Sequence, residues 1–335
     1  MTTSKDTPQS RPKLLDPKID AAKGILIFLV VLGHCLARSG GIPSKYLCYN
    51  AIYLFHMPAF IALSGFLTHH KDNRTFWLAQ LKLIETYFVF QALHYLPHMG
   101  VHEHSLLNFF VYSEWTMWYL PCLIIWRILV QYCHDTIKKK PLAALATCVA
   151  VSLLSGYIPV GTFLNIQRLL AFLPFFVGGF VYKDCLDRIW SVKYVKYVFF
   201  GLAAAAIPVL LSLYDGYNNV LTCAKPYAEA GGLQFGPLLR TAFFICAVSL
   251  TSVVMFVSGR LTSVQWLARL GRSSLFIYMT HIFLVIIIGH FLNGNTLLAF
   301  LLSIAITAAL YCLCRLDTSF MLNPVSTICK RGKNY

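Results

Sequence analysis

The chain has 335 residues, of which 58% are hydrophobic and 12% are charged, and its mean hydropathy is +0.65. This composition excludes an ordinary soluble globular protein and predicts an all-α integral membrane protein. The formal net charge of +15 does not indicate nucleic-acid binding, because the basic residues are scattered at the ends of apolar runs. The 11 cysteines form no CxxC pattern, so neither a disulfide framework nor a cysteine metal site is expected.

Apolar runs of spanning length recur along almost the whole chain. They predict a polytopic bundle of about ten transmembrane helices, near residues 20–38, 48–68, 79–96, 116–132, 142–158, 163–182, 194–214, 238–258, 274–292 and 297–316. Lys and Arg recur in the N-terminal segment and in every second connection after it, which predicts that both termini are cytoplasmic. The expected division is a cytoplasmic N-terminal tail without a cleavable signal peptide (1–19), a transmembrane domain (20–316) and a cytoplasmic C-terminal tail (317–335).

The first predicted helix carries ionisable residues on one stripe. At about 100° per residue, Lys23 and His34 lie within about 20° of each other, and Asp20 lies about 40° from His34. His34 is either a general base or nucleophile, or a core histidine bonded to a neighbouring helix. Lys23 either forms an i,i+3 ion pair with Asp20 or meets an anionic cosubstrate from the cytoplasm.

His56 lies inside the second predicted helix, next to the helix-interior Pro58. Because this helix runs back toward the cytoplasm, His56 is expected at the same outer-half depth as His34. The two histidines are therefore predicted to form a pair.

Further polar side chains are expected inside the later helices. Trp118 is either part of an interfacial aromatic belt or a stacking surface for a sugar ring. Arg168, deep in the sixth segment, is expected to stabilise an oxyanion or orient an acceptor. Arg272 either anchors the topology or binds phosphate, and Tyr278 and His281 follow it toward the same cavity.

Four histidines near the end of the third helix, His94, His98, His102 and His104, have near-helical spacing. Pro97 and Gly100 interrupt the helix there, so no metal site is predicted.

Several of these segments, in order, resemble one family. DAAKGILIFLVVLGH is similar to the first-helix signature of the acyltransferase type 3 family, and FHMPAFIALSGFL, MWYLP, RLLAFLPFFVGGFVYK and LGRSSLFIYMTH resemble its branch related to fucose 4-O-acetylases. The resemblance covers roughly residues 16–315. It implies that His34 is the catalytic histidine, that Lys23 is its basic partner in place of the commoner Arg, and that Asp20 is the acidic neighbour.

The resemblance implies transfer of an acyl group, usually acetyl, from cytoplasmic acyl-CoA to a hydroxyl of a glycan or glycolipid. The donor phosphates are expected near Lys23, Arg74 and Arg272. His34, helped by His56 or Asp20, would take the acceptor proton, or would first carry the acyl group itself. The expected partners are acyl-CoA as cosubstrate, the acceptor and membrane lipids, with no bound cofactor or nucleic acid, in a multi-pass cell (plasma or inner) membrane protein.

Two other classes of function remain open at this point. A transporter of lipid-linked sugars or small solutes would use the same buried charges as a permeation route, although no inverted repeat is evident. A membrane sensor or scaffold would need a large partner surface, which the short loops do not offer. Dependence on acyl-CoA separates the enzyme from both.

Overall fold

The structure is a computed structural model in which all regular elements of the described residues are helices. It describes residues 16–39, 43–95, 105–114, 116–183, 194–212, 221–229, 233–289, 291–292, 294–316, 318–324 and 326–327. The helices are α1 (Pro17–Arg38), α2 (Pro43–Phe66), α3 (Asn73–Tyr95), α4 (Leu106–Val111), α5 (Tyr119–Lys139), α6 (Pro141–Ser155), α7 (Ile166–Ala171), α8 (Leu173–Tyr182), α9 (Val195–Ser212), α10 (Gly236–Arg260), α11 (Gln265–Arg272), α12 (Ser274–Gly289), α13 (Thr296–Leu313) and α14 (Ser319–Leu322).

Each of the ten predicted segments coincides with helix, which confirms the all-α class. Among the described residues, four helices are long and apolar enough to cross a membrane, namely α1, the Leu47–Phe66 part of α2, α10 and α13. The number rises to six if two bent helix pairs each form one span. The count of ten spans and the cytoplasmic placement of both termini therefore stay predictions.

The sixth predicted segment, 163–182, is not one continuous helix. A 3₁₀ turn at Phe163–Asn165 leads into α7, and α7 and α8 meet at Phe172 with a bend of 46°. Pro174 lies in the first turn of α8, where its missing N–H would be unpaired in any helix, so the chain starts a new helix here. α11 and α12 meet at a sharper bend of 75°.

Helix α1 is the centre of the bundle and contacts α2, α10, α11, α12 and α13. Its packing against α11 is backbone to backbone. A Cβ placed on Gly24 would lie 2.3 Å from the Leu267 carbonyl oxygen, and one on Gly271 would lie 1.8 Å from the Asp20 carbonyl oxygen. Small residues at such contacts are typical of helix association in membranes. The pair of glycines fixes α11 against the start of α1.

Helices α2 and α8 approach each other in the same way. A Cβ on Gly65 would lie 1.9 Å from the Phe176 carbonyl oxygen, and one on Gly179 would lie 1.9 Å from the Ala62 carbonyl oxygen. This contact sets the height of the bent α7–α8 pair relative to α2.

The segment after α13 packs against α3. Ser326 donates from its hydroxyl to Glu85 Oε2 at 2.5 Å, and Thr86 donates to Asn323 Oδ1 at 3.3 Å. The described part of the predicted C-terminal tail thus covers one side of α3. The remainder of that tail and most of the predicted N-terminal tail lie outside the described residues.

Candidate functional site

One group of predicted site residues lies at the start of α1. Asp20 is 1% exposed; its Oδ2 accepts a hydrogen bond from Arg272 Nε, and its Oδ1 forms an ion pair with Lys23 Nζ, each at 2.9 Å. Lys23 follows on the same turn of α1, whereas Arg272 is brought here by the glycine contact between α1 and α11. Because one carboxylate holds two cations, the cluster retains a net positive charge. It is suited to bind an anion.

Arg74 is not part of this group. It lies exposed in the first turn of α3. Among the described residues, Arg74 forms no ion pair or hydrogen bond with Asp20, Lys23 or Arg272. Its predicted part in donor binding stays a prediction.

A second group surrounds His34 near the other end of α1. The His34 ring lies 5.1 Å from that of His281 and 6.1 Å from that of Tyr53, between ring centroids. Tyr53 in turn lies 4.8 Å from His56. The structure thus brings the three predicted histidines together, with His281 nearer to His34 than the sequence indicated and Tyr53 between His34 and His56.

The hydrogen bonds of His56 and His281 fix their tautomers. The Nδ1 of His56 contacts the Ile52 carbonyl at 2.7 Å, and the Nδ1 of His281 contacts the carbonyls of Ile277 and Tyr278 at 3.0 and 2.8 Å. A carbonyl only accepts, so Nδ1 carries the proton in both rings and Nε2 carries the lone pair. The buried Nε2 of His281 has no hydrogen-bond partner among the described residues, which leaves an acceptor beside His34.

His34 differs from its two neighbours in accessibility. It is partly exposed, whereas His56 and His281 are 3% and 0% exposed. Within the described part of the chain, neither of its ring nitrogens has a hydrogen-bond partner. The ring nitrogens of His34 are therefore available to a ligand, beside a His281 ring whose centroid lies 5.1 Å away.

Tyrosines hold the helix that carries His281. Tyr278 donates from its hydroxyl to the Thr116 carbonyl, and its ring lies 5.5 Å from that of Tyr119. The Tyr119 hydroxyl contacts Ser64 Oγ at 2.6 Å, which ties α5 to α2. Tyr278 thus fixes α12 in place and is buried, with little surface left for a ligand.

Arg168 approaches this group from α7. Its guanidinium lies 4.8 Å from the centre of the Trp118 ring, and its Nε donates to the Thr222 carbonyl at 3.3 Å. Tyr53 and Tyr278 lie within its electrostatic reach. In the described residues Arg168 has no carboxylate partner, and its charge lies near Tyr53 and Tyr278, whose rings contact the histidines.

Trp118 is only 7% exposed and also stacks on Phe172, with ring centroids 5.5 Å apart. Its ring is thus enclosed by Arg168 and Phe172. The contact of an arginine with the face of an indole ring is a stabilising cation–π interaction. The surroundings of Trp118 favour a role in holding Arg168 over stacking on a sugar.

The two groups are widely separated along α1. Asp20 and His34 are 14 positions apart, or about 21 Å along a continuous helix. A proton cannot pass directly between them, so Asp20 acts on Lys23 and Arg272 and not on His34. The arrangement suits a long ligand with an anionic end at Asp20, Lys23 and Arg272 and a reactive end at His34.

No functional role was predicted for three residues that lie near these groups. Tyr53 shares the stripe of His56 at i−3, Tyr119 follows Trp118 directly, and Arg127 is an ionisable residue well inside a predicted span. The rule that singled out Arg168 would also have found Arg127. Of the four spaced histidines, His94 stacks on Phe283 at 4.0 Å, and the other three lie outside the described residues.

Residues 16–316 match the acyltransferase 3 family, described as an acyltransferase domain. The chain is 26% identical to nodulation protein NolL of Sinorhizobium fredii over 303 residues, covering 76% of this chain and 77% of the relative. It is likewise 26% identical to NolL of Mesorhizobium japonicum over 298 residues, covering 79% of this chain and 75% of the relative. No solved structure matches significantly. The family match spans nearly the whole chain and agrees with the family expected from its motifs, so the protein belongs to the acyltransferase 3 family of membrane acyltransferases.

Proposed function

We propose that the protein transfers an acetyl group from cytoplasmic acetyl-CoA to a hydroxyl of a glycan or glycolipid. The observation that carries the proposal is the partly exposed His34, which has a free ring nitrogen among the described residues and lies against His281. An imidazole in this state can accept a proton from an alcohol near neutral pH. The proposed location is a cell membrane, which the protein crosses several times.

The donor is proposed to enter from the inner side. Its phosphates lie close to Lys23 and Arg272, which Asp20 holds at a distance of 2.9 Å from its carboxylate oxygens. The narrow pantetheine arm then extends along α1. Lys23 and His34 are 11 positions apart, or about 17 Å along the helix, so only a long and slender group brings a thioester to His34.

In the proposed reaction the acceptor hydroxyl lies against the free nitrogen of His34. As its oxygen attacks the thioester carbonyl carbon, His34 takes the hydroxyl proton. The carbonyl oxygen becomes an oxyanion that Arg168 stabilises. When the tetrahedral intermediate collapses, the C–S bond breaks and the departing sulfur takes the proton from His34. The products are the acetyl ester and free CoA.

His281 is proposed to orient His34. The ring centroids of His34 and His281 are 5.1 Å apart. If the two rings move slightly closer, a protonated nitrogen of His34 can donate to the unpartnered Nε2 of His281. Such a contact selects the tautomer in which the free nitrogen of His34 is basic, and catalytic hydrogen bonds often tighten when substrate binds. His56 and Tyr53 complete the wall around the ring.

The test uses the whole protein in lipid nanodiscs, labelled acetyl-CoA and a panel of glycans and glycosides, with products identified by mass. We expect products heavier by one acetyl group, and His34→Ala is expected to abolish them. The matched control is His134→Ala. His134 lies outside the site, and its Nδ1 is 3.0 Å from Asp135 Oδ1. Transfer by His34→Ala at the rate of the control, with equal folded protein, would contradict the proposed role.

A further inference from the structure

A groove with a volume of about 490 Å³ opens between α3, α5 and the start of α12. Three basic residues line it, namely Lys71, Lys82 and Arg127. The lining also includes Thr86 and Asn323, which join α3 to the C-terminal segment, and the apolar Leu275 of α12. Leu275 is three residues after Arg272 in the chain, just past the 75° bend between α11 and α12. The groove therefore adjoins the proposed donor site without sharing its charged residues.

The charge of the groove is unbalanced. No Asp or Glu is among the described residues that line it, and none of its three basic side chains forms an ion pair within the described chain. This differs from Lys23 and Arg272, which share the carboxylate of Asp20. Three cations around one concave surface provide the charged donors that a phosphate group requires.

Arg127 is the strongest single sign of a ligand. It is partly buried, and it lies eight residues beyond Tyr119 on α5, or about 12 Å inside the helix. An arginine at this depth normally faces a partner or a water-filled cavity, because an unpaired charge in the bilayer is costly. Within the described residues its electrostatic partner is the neutral Tyr119 hydroxyl, so a compensating anion is missing.

The groove also lies near the reactive group. Tyr119, within the electrostatic reach of Arg127, contacts Tyr278, and the Tyr278 ring lies 6.1 Å from His281. Leu275 is six residues before His281 on α12, or about 9 Å along the helix. The groove thus lies about 9 Å, measured along α12, from the level of His281, which is within the reach of an extended acyl donor.

We infer that this groove binds the 3′-phosphate of the acyl donor's nucleotide, through Lys71, Lys82 and Arg127. The inference rests on the proposed function, and it adds a second phosphate site to that of Lys23 and Arg272. Acyl-CoA carries a diphosphate between its pantetheine arm and its adenosine, and a separate phosphate on the ribose. The Arg272 side receives the diphosphate and the groove receives the ribose phosphate.

The test compares acetyl-CoA with acetyl-dephospho-CoA, which lacks only the 3′-phosphate. Wild-type protein, Lys82→Gln and Arg127→Gln are assayed with both donors in nanodiscs. We expect both variants to raise the KM for acetyl-CoA at least tenfold and to leave the KM for acetyl-dephospho-CoA within twofold of wild type. Arg127→Lys should lie between wild type and Arg127→Gln, because a lysine keeps the charge but loses the planar guanidinium.

The matched control is Lys139→Gln, which removes an exposed positive charge from the last turn of the same helix as Arg127. It should leave both KM values unchanged. Equal melting temperatures of all variants exclude a loss of folded protein as the cause of any difference.

Three results would overturn the inference. They are an unchanged KM for acetyl-CoA in both groove variants, an equal rise for both donors, and an effect seen with both donors only in nanodiscs containing phosphatidylglycerol. The last result would mean that the groove holds a lipid headgroup. In each case the wild-type protein still transfers acetyl, whereas failure of the proposed function itself would appear as no transfer from acetyl-CoA by wild type.

Discussion

Gly271→Ala tests the backbone contact that sets Arg272 against Asp20. An added Cβ would lie 1.8 Å from the Asp20 carbonyl oxygen, and real Cβ contacts below 3.0 Å are essentially absent, so α11 must move by about 1.2 Å. The obstacle is backbone of α1, which cannot turn aside as a flexible side chain can. If α11 moves by this amount along the line between Arg272 Nε and Asp20 Oδ2, the distance between these two atoms increases from 2.9 Å to about 4 Å.

Overpacking of this kind typically costs about 1–3 kcal/mol. We therefore expect the free energy of unfolding of Gly271→Ala to fall by roughly 2 kcal/mol. We also expect the KM for acetyl-CoA to rise about tenfold, the change that corresponds to a loss of about 1.4 kcal/mol in binding. The kcat should stay near that of wild type, since His34 and His281 lie far from the contact.

The assay combines thermal unfolding in detergent with initial rates over a range of acetyl-CoA concentrations. The control is Gly201→Ala, a helical glycine in α9 whose added Cβ meets nothing within 4 Å. That change should be neutral or slightly stabilising, because alanine is the better helix former. A Gly271→Ala protein with the stability and the donor KM of wild type would refute the role assigned to this contact.

Three further substitutions separate the roles of the site residues. Asp20→Asn removes a carboxylate that is 1% exposed and holds two cations, so we expect a loss of roughly 3 kcal/mol in unfolding free energy, and an unchanged melting temperature would contradict this. Arg168→Lys should lower kcat about 100-fold with little change in the donor KM, as expected for an oxyanion donor, whereas a change in KM alone would assign Arg168 to binding. His281→Phe should lower kcat at least 100-fold while the protein stays folded, and full activity would show that His34 needs no orienting partner.

Local patterns in the sequence predicted much of the architecture. Apolar periodicity located helix at every predicted segment, and the spacing of Asp20 and Lys23 offered an ion pair as one of two alternatives for Lys23, which the structure contains. The grouping of His34 with His56 followed from helix direction and rise. These features depend on neighbours within one helix or on two successive helices, which a single sequence records well.

Contacts between distant helices could not be predicted in this way. Arg272 and Asp20 are 252 positions apart, and their pairing depends on two glycines that no periodicity distinguishes from others. The bend at Phe172 was missed although Pro174 follows it, since prolines occur within continuous spans, as Pro58 does in α2. Arg127 shows its importance only when Lys71 and Lys82 are seen around the same groove.

The proposed reaction requires one imidazole, that of His34, which the donor reaches from the inner side and the acceptor from the outer side. Sealed proteoliposomes test this directly, with labelled acetyl-CoA enclosed and a membrane-impermeant glycan acceptor outside. We consider protein inserted with its Lys- and Arg-rich connections facing the lumen, where the donor is enclosed. For this orientation we predict that wild-type protein produces labelled acceptor outside the liposomes and that His34→Gln produces none. Transfer only when donor and acceptor are on the same side of the membrane, or equal transfer by His34→Gln, would contradict the account.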